Sequence, residues 1–286
     1  MSELVHLNGS LVPLAQARVA AMDYGFLYGF GLFETMRAYA GRVFLLDRHL
    51  ARLAGSADRL GIAVDTAGLE CAVADVIRAN RLTDARIRLT VSIGEGGPTP
   101  DPAGCAQPTV LVVAGQYRPP PEHVYDAGFR AVISSIRRNS RSPLSGMKTL
   151  NYLESMLARQ EARAAGADEA LFLNERGLLA EASMSNLFLV HGGAVKTPAL
   201  GCGVLPGVAR EAVLELAEGM GIAVVEGEIV PEELSGADEA FLTNSLIEVM
   251  PLTQVDGKPV GSGKPGPLTQ RLRAGYGEVV RRETRP

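Results

Sequence analysis

The chain of 286 residues has no tryptophan, three cysteines, four histidines and only four lysines among its 28 basic residues. Each scarcity removes a class of function. Cys71, Cys105 and Cys202 are odd in number and far apart, with no Cys-x-x-Cys pair, so they read as buried thiols rather than a disulfide framework. His6, His49, His123 and His191 are scattered, without the spacing or paired acidic ligands of a metal site, which argues against a metal enzyme. A net charge of −4, arginines spread along the chain and the missing tryptophan leave neither a basic stripe nor a stacking platform for nucleic acid. No apolar run reaches the roughly 18 residues that span a bilayer. The opening Met1-Ser-Glu-Leu-Val lacks the basic and apolar regions of a signal peptide, so the expectation is a soluble, cytoplasmic protein with no membrane partner.

What is present is an ordinary globular composition, 47% apolar and 21% charged, on a chain long enough for two domains with separate cores. The first part reads as mixed α and β. A hairpin turns at Asn8-Gly9, alternation through Phe33–Tyr39 predicts a strand, and Ala40-Gly41 turns it into a second strand over 43–46. Asp47 is expected to cap a helix carrying Leu50, Leu53, Ala54, Ala57 and Leu60, ended by Gly61. A helix over Thr66–Asn80 and strands over Ala85–Ile93 and Pro108–Ala114 follow. The three prolines in Gly115-Gln-Tyr-Arg-Pro-Pro-Pro-Glu-His123 predict a stiff linker. The expected division is a small domain over 1–114, a linker over 115–124 and a large domain over 125–286. In the large domain, strands are expected near Ala131–Ile136, Glu169–Leu173, Leu187–Val190 and Glu239–Leu242. Helices are expected after Lys148, over Pro206–Met220 and from Pro267 to about Arg281.

Lys148 stands out, since Lys196, Lys258 and Lys264 all lie near Pro or Gly in turn-like stretches. Taken alone it reads as a surface lysine. Other segments supply what a Schiff-base lysine and pyridoxal phosphate would need, because that cofactor has an aldehyde, a phosphate and a pyridine nitrogen that must stay protonated. Glu181 lies between apolar, strand-like stretches, where a charge is costly unless a cation is supplied, so it is the candidate for the nitrogen. Leu205-Pro206-Gly207 runs into a helical pattern and puts the amides of Val208 and Ala209 at a helix start, suited to an anion. Arg52 offers a permanent charge and a planar fork, and Thr243 and Ser245 offer hydroxyls. Singly, each of these has a commoner structural explanation.

Together and in this order, the segments resemble the class IV aminotransferases, a family that includes branched-chain aminotransferases, D-amino acid aminotransferases and aminodeoxychorismate lyases. The motifs are Tyr24-Gly25 through Gly31-x-Phe33-Glu34, His49-x-x-Arg52-Leu53, Lys148-x-Leu150-Asn151-Tyr152-Leu153, Glu181 with Ser185-Asn186-x-Phe188, and Leu205-Pro206-Gly207-Val208-x-Arg210. The resemblance implies a two-domain α/β (α+β) fold, with a smaller N-terminal α/β domain and a larger C-terminal domain around a β-barrel-like core. It implies pyridoxal 5'-phosphate held by Lys148, which also shuttles the substrate Cα proton. Glu181 would pair with the ring nitrogen, and Leu205 would pack on the ring. Arg52, Val208, Ala209 and Ser245 would bind the phosphate, and Tyr152 is the candidate for the phenolic oxygen. Phe33, Thr35, Arg37, Arg88 and Leu246 would face the substrate, and a homodimer is implied, with N-terminal loops completing the partner's site.

The motifs divide over the reaction. Thr35 and the stretch Thr243-Asn244-Ser245-Leu246 are lyase-like. The loop Gly94-Glu95-Gly96-Gly97-Pro98-Thr99, however, lacks the basic residue expected for a polycarboxylate substrate. The D-amino acid carboxylate trap is also missing after Ser92-Ile93-Gly94. The leading expectation is transamination between an amino acid or amine and a 2-oxo acid. The alternative is 4-amino-4-deoxychorismate lyase activity releasing pyruvate and 4-aminobenzoate, and a third reading is a non-catalytic ligand-binding relative.

Overall fold

Residues 3–105 and 107–285 are described by a computed structural model. They divide into two units: Met1–Arg118 with Met147–Asn151 and Val280–Pro286, and Pro119–Gly146 with Tyr152–Val279. The short stretch around Lys148, expected in the second domain, therefore clusters with the first unit.

The first unit contains β1 (Leu4–Leu7), β2 (Ser10–Pro13), α1 (Tyr24–Tyr28), β3 (Gly31–Tyr39), β4 (Arg42–Val43), α2 (Leu46–Leu60), α3 (Thr66–Ala79), β5 (Ala85–Ser92) and β6 (Thr109–Gln116). Its strands form one antiparallel six-stranded sheet in the order β2-β1-β6-β5-β3-β4. Period-two alternation sends Leu32, Met36, Ala38, Ile87, Leu89, Val91, Val112 and Ala114 to one face. There they form a core with Leu50, Leu53 and Ala57 of α2 and Leu69, Val73 and Val76 of α3. Three expectations change here. The strand expected over 43–46 shrinks to Arg42–Val43 because Leu45 takes a left-handed φ of 49° and becomes the N-cap of α2. Asp47 consequently lies inside the first turn, where its charge favours the helix dipole without capping it. β6 continues through Gly115 and Gln116, paired with Arg86 and Ala85, so these two residues belong to the sheet rather than the linker.

The second unit contains α4 (Glu122–Ala127), β7 (Phe129–Arg138), α5 (Leu153–Ala164), β8 (Glu169–Asn174), β9 (Leu179–Ala182), β10 (Asn186–His191), β11 (Ala194–Pro198), α6 (Val208–Gly219), β12 (Val224–Gly227), α7 (Glu233–Gly236), β13 (Glu239–Asn244), β14 (Glu248–Val255), β15 (Lys258–Pro259) and α8 (Pro267–Glu283), whose last residues from Val280 count with the first unit. The main sheet runs β12-β11-β10-β13-β14-β7-β8-β9, with β15 added beside β14. β7 pairs with β8 and β11 with β12 in parallel, and α5 and α6 lie in the respective connections, as parallel neighbours require. β9, at one end of the order, approaches β10 and β11 near the other, so the sheet curls into a half-barrel. The chain is thus mixed α/β with a barrel-like second core. That core holds Leu171, Leu179, Leu187, Leu189, Leu242 and Leu252, all almost wholly buried, and Phe188 stacks on Phe241 at 4.7 Å between ring centroids.

Candidate active site

In the first unit, β3 presents its two faces very differently. Phe33, Thr35 and Arg37 share the face opposite the core and lie directly across from Thr90, Arg88 and Arg86 of β5. Phe33 and Arg37 are buried, while Thr35 and Arg88 are half-buried. The Arg88 guanidinium stacks 3.9 Å from the Phe33 ring centroid, and its Nε donates to Thr90 Oγ1 at 3.3 Å. Arg37 lies 4.2 Å from the Tyr39 ring and 5.1 Å from the Tyr117 ring. The face therefore gathers four of the expected substrate-facing residues into a cationic, aromatic-walled surface suited to carboxylates.

Lys148 is attached to the same strand. The Phe33 N–H donates to the Lys148 carbonyl at 2.9 Å, the Leu150 N–H donates to the Gly31 carbonyl at 2.9 Å, and Leu32 and Thr149 form an antiparallel bridge. Asn151 Nδ2 adds a bond to the Gly29 carbonyl at 3.0 Å. This close approach explains Gly31: a Cβ there would meet the Val91 carbonyl oxygen at 2.6 Å and a Leu150 methyl at 2.7 Å. The half-buried Lys148 side chain places Nζ 4.7 Å from the Phe33 ring centroid. Lys148 is thus on a strand-like segment, and the helix expected after it starts at Leu153.

On the core face of β3, Glu34 is completely buried. It accepts from Arg52 Nε at 2.8 Å and Arg52 Nη2 at 2.5 Å, and it pairs with His49 Nδ1 at 2.7 Å. His49 and Arg52 are three residues apart on α2, on one helical face. Burial alone would raise the Glu34 carboxyl, but the Arg52 charge and the His49 hydrogen bond outweigh it and hold it at about 2. Burial is also the largest influence on His49. It lowers the imidazole below its ordinary value, with the nearby Arg52 and Lys148 charges acting in the same direction and Glu34 opposing them. His49 is therefore neutral near pH 7, with Nδ1 donating to the carboxylate.

In the second unit, Glu181 is a β9 residue whose carboxylate is held at both oxygens: Arg138 Nη2 donates to Oε1 at 3.3 Å and the Leu205 N–H donates to Oε2 at 2.9 Å. The Leu205 carbonyl accepts from Asn186 Nδ2 at 2.9 Å, so one residue links Glu181 to the Ser185-Asn186 motif. Gly207 is the N-cap of α6 and provides no side-chain cap. A Cβ there would meet Asn186 Oδ1 at 2.0 Å. Val208 and Ala209 open the helix and are buried, so their N–H groups are first-turn donors with no capping side chain. Ser245 and Leu246 lie in the turn after β13. Asn244 organises this turn, accepting from the Leu246 and Ile247 N–H groups at 2.8 and 3.0 Å and donating to Ser185 Oγ at 2.9 Å. Thr243 Oγ1 is buried with no hydrogen-bond partner. The Tyr152 hydroxyl donates to the Ser183 carbonyl at 3.0 Å. Burial, then Glu181 and Glu169, push its pKa up to about 12, so it remains a neutral phenol.

The structure thus groups Phe33, Thr35, Arg37, Arg52, Arg88 and Lys148 within the first unit, and Tyr152, Glu181, Leu205, Val208, Ala209, Ser245 and Leu246 within the second. Sequence reasoning did not single out Glu34, His49, Arg138 or Asn186 as site residues. Glu34, His49 and Asn186 stood inside recognised motifs, whereas Arg138 carried no local signal. Among the described residues, no cluster of His, Cys, Asp and Glu could hold a metal ion, and no helix is long and apolar enough to cross a membrane.

The family model for amino-transferase class IV matches residues 31–255. A Methanocaldococcus jannaschii protein, provisionally assigned as a branched-chain-amino-acid aminotransferase, is 37% identical over 278 residues, 96% of each chain. The aminodeoxychorismate lyase of Bacillus subtilis is 33% identical, covering 97% of this chain and 95% of its own. A branched-chain amino acid aminotransferase of T.th., solved with pyridoxamine 5'-phosphate, superimposes with a TM-score of 0.94 at 33% identity, covering 100% of this chain and 96% of that one. The chain belongs to the class IV aminotransferase family. It is an enzyme of that family, whose members similar to this chain include both aminotransferases and a lyase.

Proposed function

We propose that the protein uses pyridoxal 5'-phosphate to move an amino group between an amino acid or amine and a 2-oxo acid, with Lys148 as covalent anchor and proton carrier. The observation that carries this reading is the attachment of the Lys148 segment to β3 by the two backbone bonds of an antiparallel bridge, beside Phe33. A solvated lysine without a role needs no such positioning.

The donor set fits the cofactor. Lys148 Nζ suits the aldehyde, and the Glu181 carboxylate, oriented from both oxygens, suits a protonated ring nitrogen. Arg52, Ser245 and the uncapped Val208 and Ala209 amides suit a phosphate, and the partnerless buried Thr243 hydroxyl adds polar capacity next to that turn. When bound, the cofactor supplies an electron sink adjacent to the substrate Cα. The chain's residues do the rest. Lys148 Nζ takes the Cα proton and returns one. Arg88 and Arg37 orient the substrate carboxylate, with Phe33 and Thr35 beside them on the same sheet face, and Leu246 is a further candidate for contact with the substrate. Leu205 packs on the ring, and Tyr152 serves the phenolic oxygen by redirecting to it the hydroxyl proton that here goes to the Ser183 carbonyl. Met22, Phe26, Leu27 and Tyr28 present exposed apolar surface, with Phe26 at 76% exposure, which supports a homodimer. The proposed setting is the cytoplasm, with small-molecule substrates.

The test is to incubate the coloured holoenzyme with single amino acids and amines while following its visible absorption and the release of 2-oxo acid. The reading expects conversion by at least one donor, and loss of the visible band in Lys148→Ala. A second reading, elimination of pyruvate from aminodeoxychorismate, is favoured by Thr35 lying directly across from Arg88 on the open sheet face. Pyruvate from that substrate with no response to any amino donor would establish the second reading and reject the first.

A further inference from the structure

The core face of the six-stranded sheet is apolar except at Glu34, whose neighbours on that face include Leu32, Met36, Ala38, Leu89 and Ile87. A carboxylate in such a place is expensive to desolvate, and an apolar side chain of similar size would generally serve the fold as well or better. Glu34 nevertheless takes two parallel hydrogen bonds from one guanidinium, at 2.8 and 2.5 Å, and one from a fully buried imidazole at 2.7 Å. A bidentate grip through Nε and Nη2 sets the plane of the Arg52 guanidinium and turns its Nη1 edge away from the carboxylate. The Arg52 side chain is 10% exposed against 1% for Glu34, so the pair is anchored at its buried end. His49 bonds to the same carboxylate from a second direction and thereby prevents Glu34 from rotating.

We infer that Glu34 and His49 are positioning residues that aim the Arg52 guanidinium at the cofactor phosphate, a role resting on the phosphate assignment of Arg52 made above. Two effects of Glu34 on an anion oppose each other. Its negative charge weakens anion binding by partly cancelling Arg52, while its geometry strengthens binding by removing the rotamer freedom of a long side chain. The buried, bidentate arrangement makes geometry the larger effect, because a disordered guanidinium must be re-ordered at every binding event.

The experiment compares holoenzymes carrying Arg52→Gln, Glu34→Gln, His49→Gln and the Glu34→Gln/Arg52→Gln double change. Cofactor dissociation is read from loss of the visible band on serial dilution, with inorganic phosphate as competitor and thermal unfolding of each apoprotein alongside. Arg52→Gln should loosen the cofactor, and Glu34→Gln and His49→Gln should each loosen it by about tenfold, the order expected for losing a charge-assisted hydrogen bond. The double variant should be no looser than Arg52→Gln alone, since Glu34 acts only through Arg52. A structural role would lower apoprotein stability but add to the Arg52→Gln effect, and that outcome would overturn the inference. Tighter cofactor binding in Glu34→Gln would overturn it too, showing that charge cancellation prevails. An unchanged cofactor in Arg52→Gln would instead reject the phosphate assignment itself. Should Glu34→Gln fail to fold, His49→Gln and His49→Gln/Arg52→Gln decide the matter by the same comparison.

Discussion

Acid should cost this protein a defined amount of stability through Glu34. Its carboxyl is held at about 2 in the fold against an ordinary 4.5, and at about 1.4 kcal/mol per pH unit the difference corresponds to roughly 3.5 kcal/mol. The folded value is the lower one, so the stabilisation is complete above about pH 5 and is lost as pH falls toward about 2. About 1.4 kcal/mol should be gone by about pH 3.5, where most unfolded chains have this carboxyl protonated. His49 titrates in the same cluster. Its folded pKa is also lowered, so it too favours the fold above its ordinary range and less so as pH falls. The clean perturbation is therefore Glu34→Gln in a His49→Gln background, where only the carboxyl remains to titrate. Urea unfolding of the two apoproteins, followed by circular dichroism from pH 7 to pH 3, gives the free-energy difference at each pH. As acid is added, the chain that keeps Glu34 should lose stability relative to the one that lacks it. A constant difference across the range would refute an ionised, Arg52-paired Glu34.

Three further outcomes follow from other sites. Gly207→Ala brings a Cβ to 2.0 Å from Asn186 Oδ1, so it should displace Asn186 from the Leu205 carbonyl and weaken cofactor retention, measured by dilution of the holoenzyme, by about tenfold for the hydrogen bond lost. Phe188→Ala removes a wholly buried ring stacked on Phe241 and should destabilise the second unit by about 3–5 kcal/mol in urea unfolding. Tyr152 has its pKa raised to about 12 from 10. Stability linked to it is thus present below about pH 10 and lost as pH rises toward about 12, so Tyr152→Phe should flatten alkaline destabilisation between those limits.

Much of the first unit could be read locally. Alternation in β3 placed Phe33, Thr35 and Arg37 on one face, and the three-residue spacing of His49 and Arg52 put them on one side of a helix. The same alternation carried an unread message: Glu34 shares parity with Leu32, Met36 and Ala38, so a strand prediction already placed a carboxylate in the apolar core. The location of Lys148 was not legible, because its segment is held by bonds to residues more than a hundred positions earlier. Arg138 was equally hidden, 43 positions from the Glu181 it contacts. Strands β9, β11 and β14 escaped notice although each folds back on the strand just before it, because period and length alone do not distinguish such a strand from a turn or a helix segment, while β12 is set by parallel pairing with β11 across α6.

The buried ionic groups argue for chemistry over stability because of where they end. Buried charge pairs are generally poor stabilisers, and apolar replacements do as well or better. A chain selected for stability alone would have little reason to keep Glu34 under the sheet, or to hold Glu181 between Arg138 and a backbone amide. Each of these clusters ends on a proposed cofactor group: Glu34 and His49 on Arg52, Arg138 and Leu205 on Glu181. Glu169 extends the pattern. It is buried, burial pushes its carboxyl up, and it accepts from the Ser183 hydroxyl, whose residue's carbonyl in turn accepts from Tyr152. In these clusters the desolvation cost falls directly behind groups proposed to need a fixed orientation, which is where preorganisation is most effective.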